Sequence, residues 1–381
     1  MKNKKQEVNG PELTALGKVR QEIDMLDAQI QELIIARARL ARAVGESKGQ
    51  IENAVDYYRP EREAQVLRAV LERNQGPISD IEMLRLFREI MSVCLAQQEP
   101  LKIAYLGPEG TFTQQAVSRH FGHSVQALGL TGIDDVFTQV ESAEADFGVV
   151  PVENSNQGIV SHTLDRFVDS DLKICGEIEM AIHHNLLSPA KSLKHIERIY
   201  SHQQSLSQCR NWIRKQLPLA ACIAVSSNAE AARLVRHSPD AAAISSRAAA
   251  EIYGVPILFA HIEDRADNAT RFLVIGRQLL LPSGDDKTTL LLAGDEGPGA
   301  LHSLLTPLAR HSLNMSRIES RPYSAGRWSY VFFIDVDGHA ETEPLKSALV
   351  EMQNQASLTR VLGSYPKAVN KQPATGAEVD G

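Results

Sequence analysis

Aromatic residues make up only 5% of this chain, and 381 residues include only four cysteines. Cys94, Cys175, Cys209 and Cys222 lie far apart and form no C-x-x-C pair. That spacing speaks against a disulfide framework and a zinc site, and suits reduced thiols in the cytoplasm. The 12 histidines are scattered, with His183-His184 the only adjacent pair, and H-E-x-x-H is absent; no metal is expected. G-x-G-x-x-G and G-K-[ST] are also missing, so neither a dinucleotide nor a nucleotide phosphate has its usual glycine cradle, and no cofactor is expected. No basic tract offsets the net charge of -7, which argues against a general nucleic-acid binder. No apolar run approaches a membrane span. The start Met1 to Glu7 is basic but has no apolar core behind it, so it does not read as a signal peptide. What remains is ordinary globular composition, 43% hydrophobic and 23% charged, over a length that allows two to four domains.

Residues 1–11 are polar. Beyond them Leu16, Val19, Ile23, Leu26, Ile30, Leu33, Leu40 and Val44 recur at three- and four-residue spacings with no proline between Pro11 and Pro60. The spacing predicts one amphipathic helix over 12–48, too long to stand alone. Two more helices are expected over 59–74 and 79–98, divided by Gln75-Gly76-Pro77. Three helices without a strand make a thin bundle that calls for a second copy. Arg37 falls on the apolar stripe, and Lys48 returns to within about 20° of its face roughly 16 Å further along. The two could grip one small ligand, closed in by Arg62, Glu63 and Gln98. Arg20 is about 25 Å from Arg37 and turned by about 100°, so any site it serves is a neighbour's.

After a linker at 97–100 the pattern changes to alternating strands and helices. Lys102–Leu106 runs into the turn Gly107 to Thr113 and a helix start, an arrangement whose backbone N–H groups suit a carboxylate. The strand 146–150 ends in a polar segment containing Glu153 and Asn154, where open α/β sheets place ligands. Ser201-His202 to Gln208 repeats the arrangement. At Asn268 to Phe272 a hydroxyl, Thr270, stands beside a cation, Arg271, a pair suited to an anionic substrate that loses a hydroxyl group. Two lobes with a cleft between them are expected, the second over roughly 180–262. A linker at 280–286 leads to a compact β-α-β-β-α-β pattern, and the segment after Lys367 is polar.

These motifs carry three resemblances. Arg20, Arg37, Lys48, Arg62-Glu63 and Gln98 on three helices are similar to the all-helical chorismate mutases, which fold as intertwined dimers. That likeness implies that Arg20 from the partner, Arg37 and Arg62 bind the carboxylates of chorismate, that Lys48 and Gln98 face the ether oxygen, and that Glu63 takes the hydroxyl. Arg59 and Cys94 complete the implied substrate-binding set, with Arg59 standing where some members carry an acidic residue. Gly107 to Thr113, Val150 to Ser155, Tyr200-Ser201-His202, Gln208-Cys209 and Thr270-Arg271-Phe272 resemble prephenate dehydratases. A two-lobed fold of the periplasmic-binding-protein type is implied, with Thr270, Glu153, Asn154, Ser201 and Gln208 catalytic and Arg271 and Thr111 binding substrate. Gly299-Ala300-Leu301 and Glu319-Ser320-Arg321-Pro322 look like an ACT regulatory domain of ferredoxin-like α+β fold, which binds phenylalanine between subunits. The expectation is a multidomain, cytoplasmic homodimer or larger homo-oligomer: a mutase over 12–99, a dehydratase over 101–277 and a regulatory domain over 287–366. It would make phenylpyruvate from chorismate and be inhibited by L-phenylalanine, with no membrane or nucleic-acid partner. The competing expectations are a non-catalytic aromatic amino-acid sensor and a mutase fused to a dehydrogenase, the latter disfavoured by the missing dinucleotide fingerprint.

Overall fold

The computed structural model describes residues 11–48, 58–156, 158–294, 297–323 and 329–369. Three helices come first: α1 (Pro11–Lys48), α2 (Pro60–Arg73) and α3 (Asp80–Ala96). Pro60 opens α2, where a missing N–H costs nothing, and Ser79 caps α3 by accepting from Glu82 N. The long apolar stripe of α1 does not pack inside the chain: Leu16, Val19, Ile23, Leu26, Ile30, Leu33, Leu40 and Val44 are 47% to 70% exposed. The more buried face is instead built on Ile34, Arg37, Ala38, Ala41 and Gly45, of which Ala38, Ala41 and Gly45 are small enough to let α3 approach closely. Gly45 has a specific reason, since a Cβ there would sit 2.6 Å from Gln98 Oε1.

Next come β1 (Lys102–Leu106), α4 (Phe112–Phe121), β2 (Gln126–Leu130) and α5 (Ile133–Glu141). They are followed by β3 (Phe147–Asn154), β4 (Gly158–Ile159), α6 (Ser161–Asp169) and β5 (Lys173–Ala181). The chain then crosses to a second lobe. It holds β6 (Asn185–Leu187), β7 (Arg198–His202), α7 (Gln203–Gln208), α8 (Arg210–Gln216) and β8 (Ala221–Val225). It continues with α9 (Asn228–Val235), β9 (Ala241–Ser245), α10 (Arg247–Tyr253) and β10 (Ile257–Phe259). The chain returns as β11 (Ala269–Gly276), which inserts antiparallel between β3 and β5. The first sheet therefore runs β2-β1-β3-β11-β5 and the second β10-β6-β9-β7-β8, joined by two crossovers.

The last unit is β12 (Asp286–Ala293), α11 (Ala300–Arg310), β13 (Met315–Tyr323), β14 (Ser329–Asp337), α12 (Leu345–Gln353) and β15 (Leu358–Pro366). Its strand order β13-β14-β12-β15 is the ferredoxin-like arrangement that the β-α-β-β-α-β pattern anticipates. One face of this sheet is covered by its own helices, around Leu290, Leu308, Ile334 and Met352. The other face, with Leu291, Val331, Phe333, Leu362 and Tyr365, shares a single buried core with Val150, Val152, Leu273 and Ile275 of the first lobe.

One departure from the expected strands decides the layout of the site. Pro151 to Asn154, anticipated as a polar segment beyond the strand, is ladder: Leu273 faces Val150, Phe272 faces Pro151, and then the register slips, so that Arg271 faces Glu153 and Thr270 faces Asn154. Val152 is the extra residue of a β-bulge. Because side chains alternate along a strand, one inserted residue exchanges the faces of everything after it.

Candidate active sites

The first candidate site lies in the helical region. Arg37 of α1, Arg59, Arg62 and Glu63 around the start of α2, and Gln98 after α3 line one cavity of about 470 Å³. That size suits a small metabolite. Arg88 of α3, Tyr58 and His120 of α4 line it as well, so the neighbouring lobe forms part of its wall. These three were not found from sequence: Arg88 shares the helical spacing of Leu84, Met91 and Leu95, the kind of signal that singled out Arg37, but was passed over, and His120 belongs to another domain. Gln98 Nε2 donates to Ala41 O at 2.7 Å, which aims its amide, while its Oε1 is buried with no partner among the described residues. Burial drives the Glu63 carboxyl up to about 7, against the opposing pull of Arg88 and a hydrogen bond with Tyr58. Burial, helped by Arg88, pushes His120 down to about 3, so its ring is neutral and within 3.3 Å of the Tyr58 hydroxyl. The cavity thus combines four guanidinium groups with one carboxyl half-titrated near neutrality.

Three expected members stand differently. The side chain of Lys48 lies outside the described residues. Arg20 is exposed on α1 and is not part of the cavity wall, in keeping with a site that it could only supply to a neighbour. Cys94 is corrected: it is 1% exposed and turned into the helix packing, away from the cavity.

The second candidate site lies where the lobes meet. Thr270 and Asn154 are ladder partners, and Asn154 Nδ2 donates to Thr270 Oγ1 at 2.9 Å, to Asn268 Oδ1 at 2.9 Å and to Ala269 O at 3.2 Å. The orientation of this amide is fixed by Asn156 N, which can only donate and does so to Asn154 Oδ1 at 3.1 Å. Thr270 Oγ1 therefore accepts from Asn154 and keeps its own proton for another partner. Gln208 of α7 joins from the second lobe, with Nε2 3.5 Å from Asn154 Oδ1 and Oε1 accepting from Asn268 Nδ2 at 3.2 Å. His184 Nε2 is 2.7 Å from Gln208 Oε1, and burial lowers its pKa, so the ring is a neutral donor. Asn268 and His184 extend the anticipated set; each stands in a flagged stretch but offered no spacing that tied it to Gln208. The resulting network, His184–Gln208–Asn268–Asn154–Thr270, spans both lobes and carries no formal charge.

Four expected members are corrected here. Past the bulge Glu153 turns to the opposite face, where its carboxylate meets Arg317 Nε at 3.2 Å. Arg271 likewise points away from Thr270, as adjacent strand residues must. Its guanidinium is 10% exposed, with Nη1 2.6 Å from Asp335, Nη2 2.8 Å from Glu177 and 3.0 Å from the Tyr365 hydroxyl. Burial alone would lower its pKa, but Tyr365, Asp335 and Glu177 outweigh that and hold it raised. Ser201 is fully buried, its hydroxyl bonded to Asn228 Oδ1 at 2.9 Å and Ile244 O at 2.8 Å, so it shapes the end of β7 and cannot touch a ligand. Thr111 caps α4, accepting from Gln114 N and donating to Leu106 O at 3.2 Å, so its hydroxyl holds the loop. That loop also touches the second lobe: Ser246 Oγ donates to Gly110 O and Tyr253 OH to Glu109 O, at 3.0 and 2.9 Å.

In the third unit Gly299 caps α11 with φ +83°, a conformation that favours glycine, and Ala300 and Leu301 begin the helix. Glu319, Ser320, Arg321 and Pro322 lie on β13, the edge strand. Arg321 is corrected as a free ligand contact, since on α6 its Nη2 donates to both oxygens of Asp165 at 2.9 Å, its Nε to one of them at 3.1 Å and its Nη1 to Ser161 Oγ at 2.9 Å. Among the described residues, His183, His261 and Glu263 are the one group whose metal-ligating atoms all lie within 4.8 Å. Glu263 there already accepts from His184 N at 2.9 Å and lies 2.8 Å from His183 Nδ1. No helix among the described residues is long and apolar enough to cross a membrane.

Comparison with known proteins matches residues 19–99 to the chorismate mutase type II family model and residues 103–279 to the prephenate dehydratase model. A bifunctional chorismate mutase/prephenate dehydratase of Stutzerimonas stutzeri is 50% identical over 363 residues, covering 94% of this chain and 99% of the relative. A solved prephenate dehydratase in complex with L-Phe, from Arthrobacter aurescens, is 35% identical with a TM-score of 0.66, covering 73% of this chain and 93% of that one. Another solved structure, described as GqqA, a novel type of quorum quenching acylases, is 30% identical with a TM-score of 0.65, covering 70% of this chain and 98% of that one.

Proposed function

The chain belongs to the family of bifunctional chorismate mutase/prephenate dehydratases, and from that premise we propose how its residues divide the two reactions. It rearranges chorismate to prephenate, then removes carbon dioxide and hydroxide from prephenate to leave phenylpyruvate. The mutase step belongs to the helical unit, over 12–99. A pericyclic rearrangement needs no acid, base or nucleophile, only a held conformer and positive charge where negative charge develops. The observation that carries this reading is the convergence of Arg37, Arg59, Arg62 and Arg88 with Gln98 on one cavity. Arg37 and Arg62 hold the carboxylates, and Gln98 faces the ether oxygen together with Lys48. Arg20 comes from a second copy, whose α1 would also cover the exposed apolar stripe.

The pH dependence follows from Glu63. The folded protein keeps a proton up to about 7 that the unfolded chain releases near 4.5. This group's contribution to stability is therefore full below about 4.5 and falls as pH rises through 7. In the cavity, protonation removes the one carboxylate that faces a dianionic substrate among the described residues. Mutase kcat/KM is expected to rise as pH falls through about 7, and Glu63→Gln to flatten that limb. A profile unchanged by the substitution would remove Glu63 from the pocket's charge balance.

The dehydratase step belongs to 101–277, with Thr270 as the hydroxyl that assists the departing hydroxide and Asn154 and Gln208 as its orienting amides. Arg271 has no part in holding the substrate. The unit over 287–366 reads as an ACT domain binding L-phenylalanine between copies near Gly299 to Leu301 and Glu319 to Pro322, which would make the product's amino acid a feedback inhibitor. The test supplies chorismate to the full chain and follows phenylpyruvate by its ultraviolet absorbance in base, with and without L-phenylalanine. Product that L-phenylalanine suppresses is expected, from a protein that sediments as a dimer or larger. Phenylalanine binding without product would favour a sensor, and an active mutase that sediments as a monomer at every concentration would end the shared-site reading.

A further inference from the structure

The two ladder pairs at the end of β3 and β11 face opposite ways. Asn154 and Thr270 look into the cleft, whereas Glu153 and Arg271, one step along, look at the third domain. There they meet another ladder pair. Arg317 of β13 and Asp335 of β14 are themselves register partners, next to a register slip between Met315 and Arg317. Glu153 binds Arg317 at 3.2 Å and Arg271 binds Asp335 at 2.6 Å, so two cross-strand pairs of opposite sign close on each other across the domain boundary. Asp335 is held in turn by Thr289 Oγ1 at 2.6 Å, and Thr289 by the Tyr365 hydroxyl at 2.9 Å. The other anion on Arg271, Glu177, is tied to Lys287 of β12 at 2.8 Å.

We propose that Glu153, Arg271, Arg317 and Asp335 form a clamp through which the third domain positions Thr270: the clamp holds the bulged end of the β3–β11 ladder in the register that sets Asn154 against the Thr270 hydroxyl. A bulge leaves one residue unpaired and lets its strand bend. Beyond Thr270 the β3–β11 seam, among the described residues, continues with Ser155 N donating to Ala269 O at 2.9 Å and Ala269 N to the Ser155 hydroxyl at 3.0 Å. The charges next to the bulge therefore hold the last pairs of the β3–β11 seam, while β5 and β4 bond the outer edges of the two strands. Movement of β13 or β14 reaches the hydroxyl through one residue, without any group of the third domain entering the cleft. The four are positioning residues. The inference rests on reading Thr270 as the dehydratase hydroxyl, and it does not depend on whether L-phenylalanine is the effector.

The test uses the full chain and the Arg317–Glu153 pair, 17% and 38% exposed, where substitutions spare the more deeply buried Arg271. Arg317→Gln and Glu153→Gln are each expected to lower dehydratase kcat on the order of tenfold, the scale of a small misplacement of a reacting group. KM for prephenate and mutase turnover should stay unchanged. Arg317→Lys, which keeps the charge, should retain most of the activity. The double variant Glu153→Gln/Arg317→Gln should be no slower than either single one, as two halves of one contact must be. Unchanged kcat in both single variants overturns the proposal. So does a parallel loss of dehydratase and mutase activity with thermal stability, which would mean general unfolding. If Thr270→Ala spares the dehydratase while the Gln variants still slow it, the site reading fails and the coupling across the boundary stands. If L-phenylalanine has no effect on the wild type, only the feedback reading fails.

Discussion

Replacing Thr270 with alanine lowers dehydratase kcat by about 10²-fold to 10⁴-fold, the range lost with a positioned proton donor, and leaves chorismate rearrangement intact. The expectation rests on the direction of one hydrogen bond. Asn154 donates to Thr270 Oγ1, so the hydroxyl proton is free for the leaving group. The amide that orients it is itself oriented by Asn156 N. Departure of hydroxide with carbon dioxide leaves an aromatic ring, so a weak acid held in the right place suffices. The network around it, which includes a neutral His184, offers no stronger donor at neutral pH. Thr270→Ser should recover a large part of the rate, since it restores the hydroxyl and loses only the methyl group. Steady-state kinetics on supplied prephenate decides the matter, and an alanine variant within threefold of wild type would move the donor elsewhere.

Arg37→Ala produces the opposite phenotype. Truncating one partner of a desolvated charge pair costs about 2–5 kcal/mol, or roughly 30-fold to 5,000-fold in mutase kcat/KM, while prephenate supplied directly is still dehydrated. Arg37 sits on the face of α1 that meets α3, beside Ala38 and Ala41, and it lines the cavity opposite Gln98. A surface arginine at the same spacing would give almost nothing on truncation, so the size of the effect separates the two readings. Chorismate consumption by the variant, measured beside its dehydratase rate, provides the check.

Much of the architecture was legible because the chain follows local rules. Period 3.6 marked the three helices to within two residues, and the alternation of β-α-β-β-α-β marked the third domain. Helical spacing singled out Arg37, whereas the place of Arg62, Glu63 and Gln98 beside it came from the family resemblance. What spacing could not supply was the side of a strand. Thr270 and Arg271 are neighbours in sequence and were read as neighbours in one site, yet strand geometry sends them to opposite faces. Glu153 was misplaced for a subtler reason: the bulge at Val152 is a property of the pairing with β11, more than 100 residues away, and no local residue announces it. The apolar stripe of α1 was legible as helical and as too long to stand alone, and it lies 47% to 70% exposed on the single chain. Ser201 and Thr111 were flagged as polar groups at strand ends, where polar groups also serve to finish the strand or start the helix.

The bare face of α1 also bears on how the protein is made. This helix precedes the rest of the fold in the chain, and its large apolar side chains find no cover in the two domains that follow. A ribosome-bound chain would therefore present that stripe while both α/β domains were still being synthesised, a period in which exposed apolar surface invites sticking. Meeting a second nascent chain early would shorten that exposure, so the spacing of ribosomes on the message bears on the yield of soluble protein.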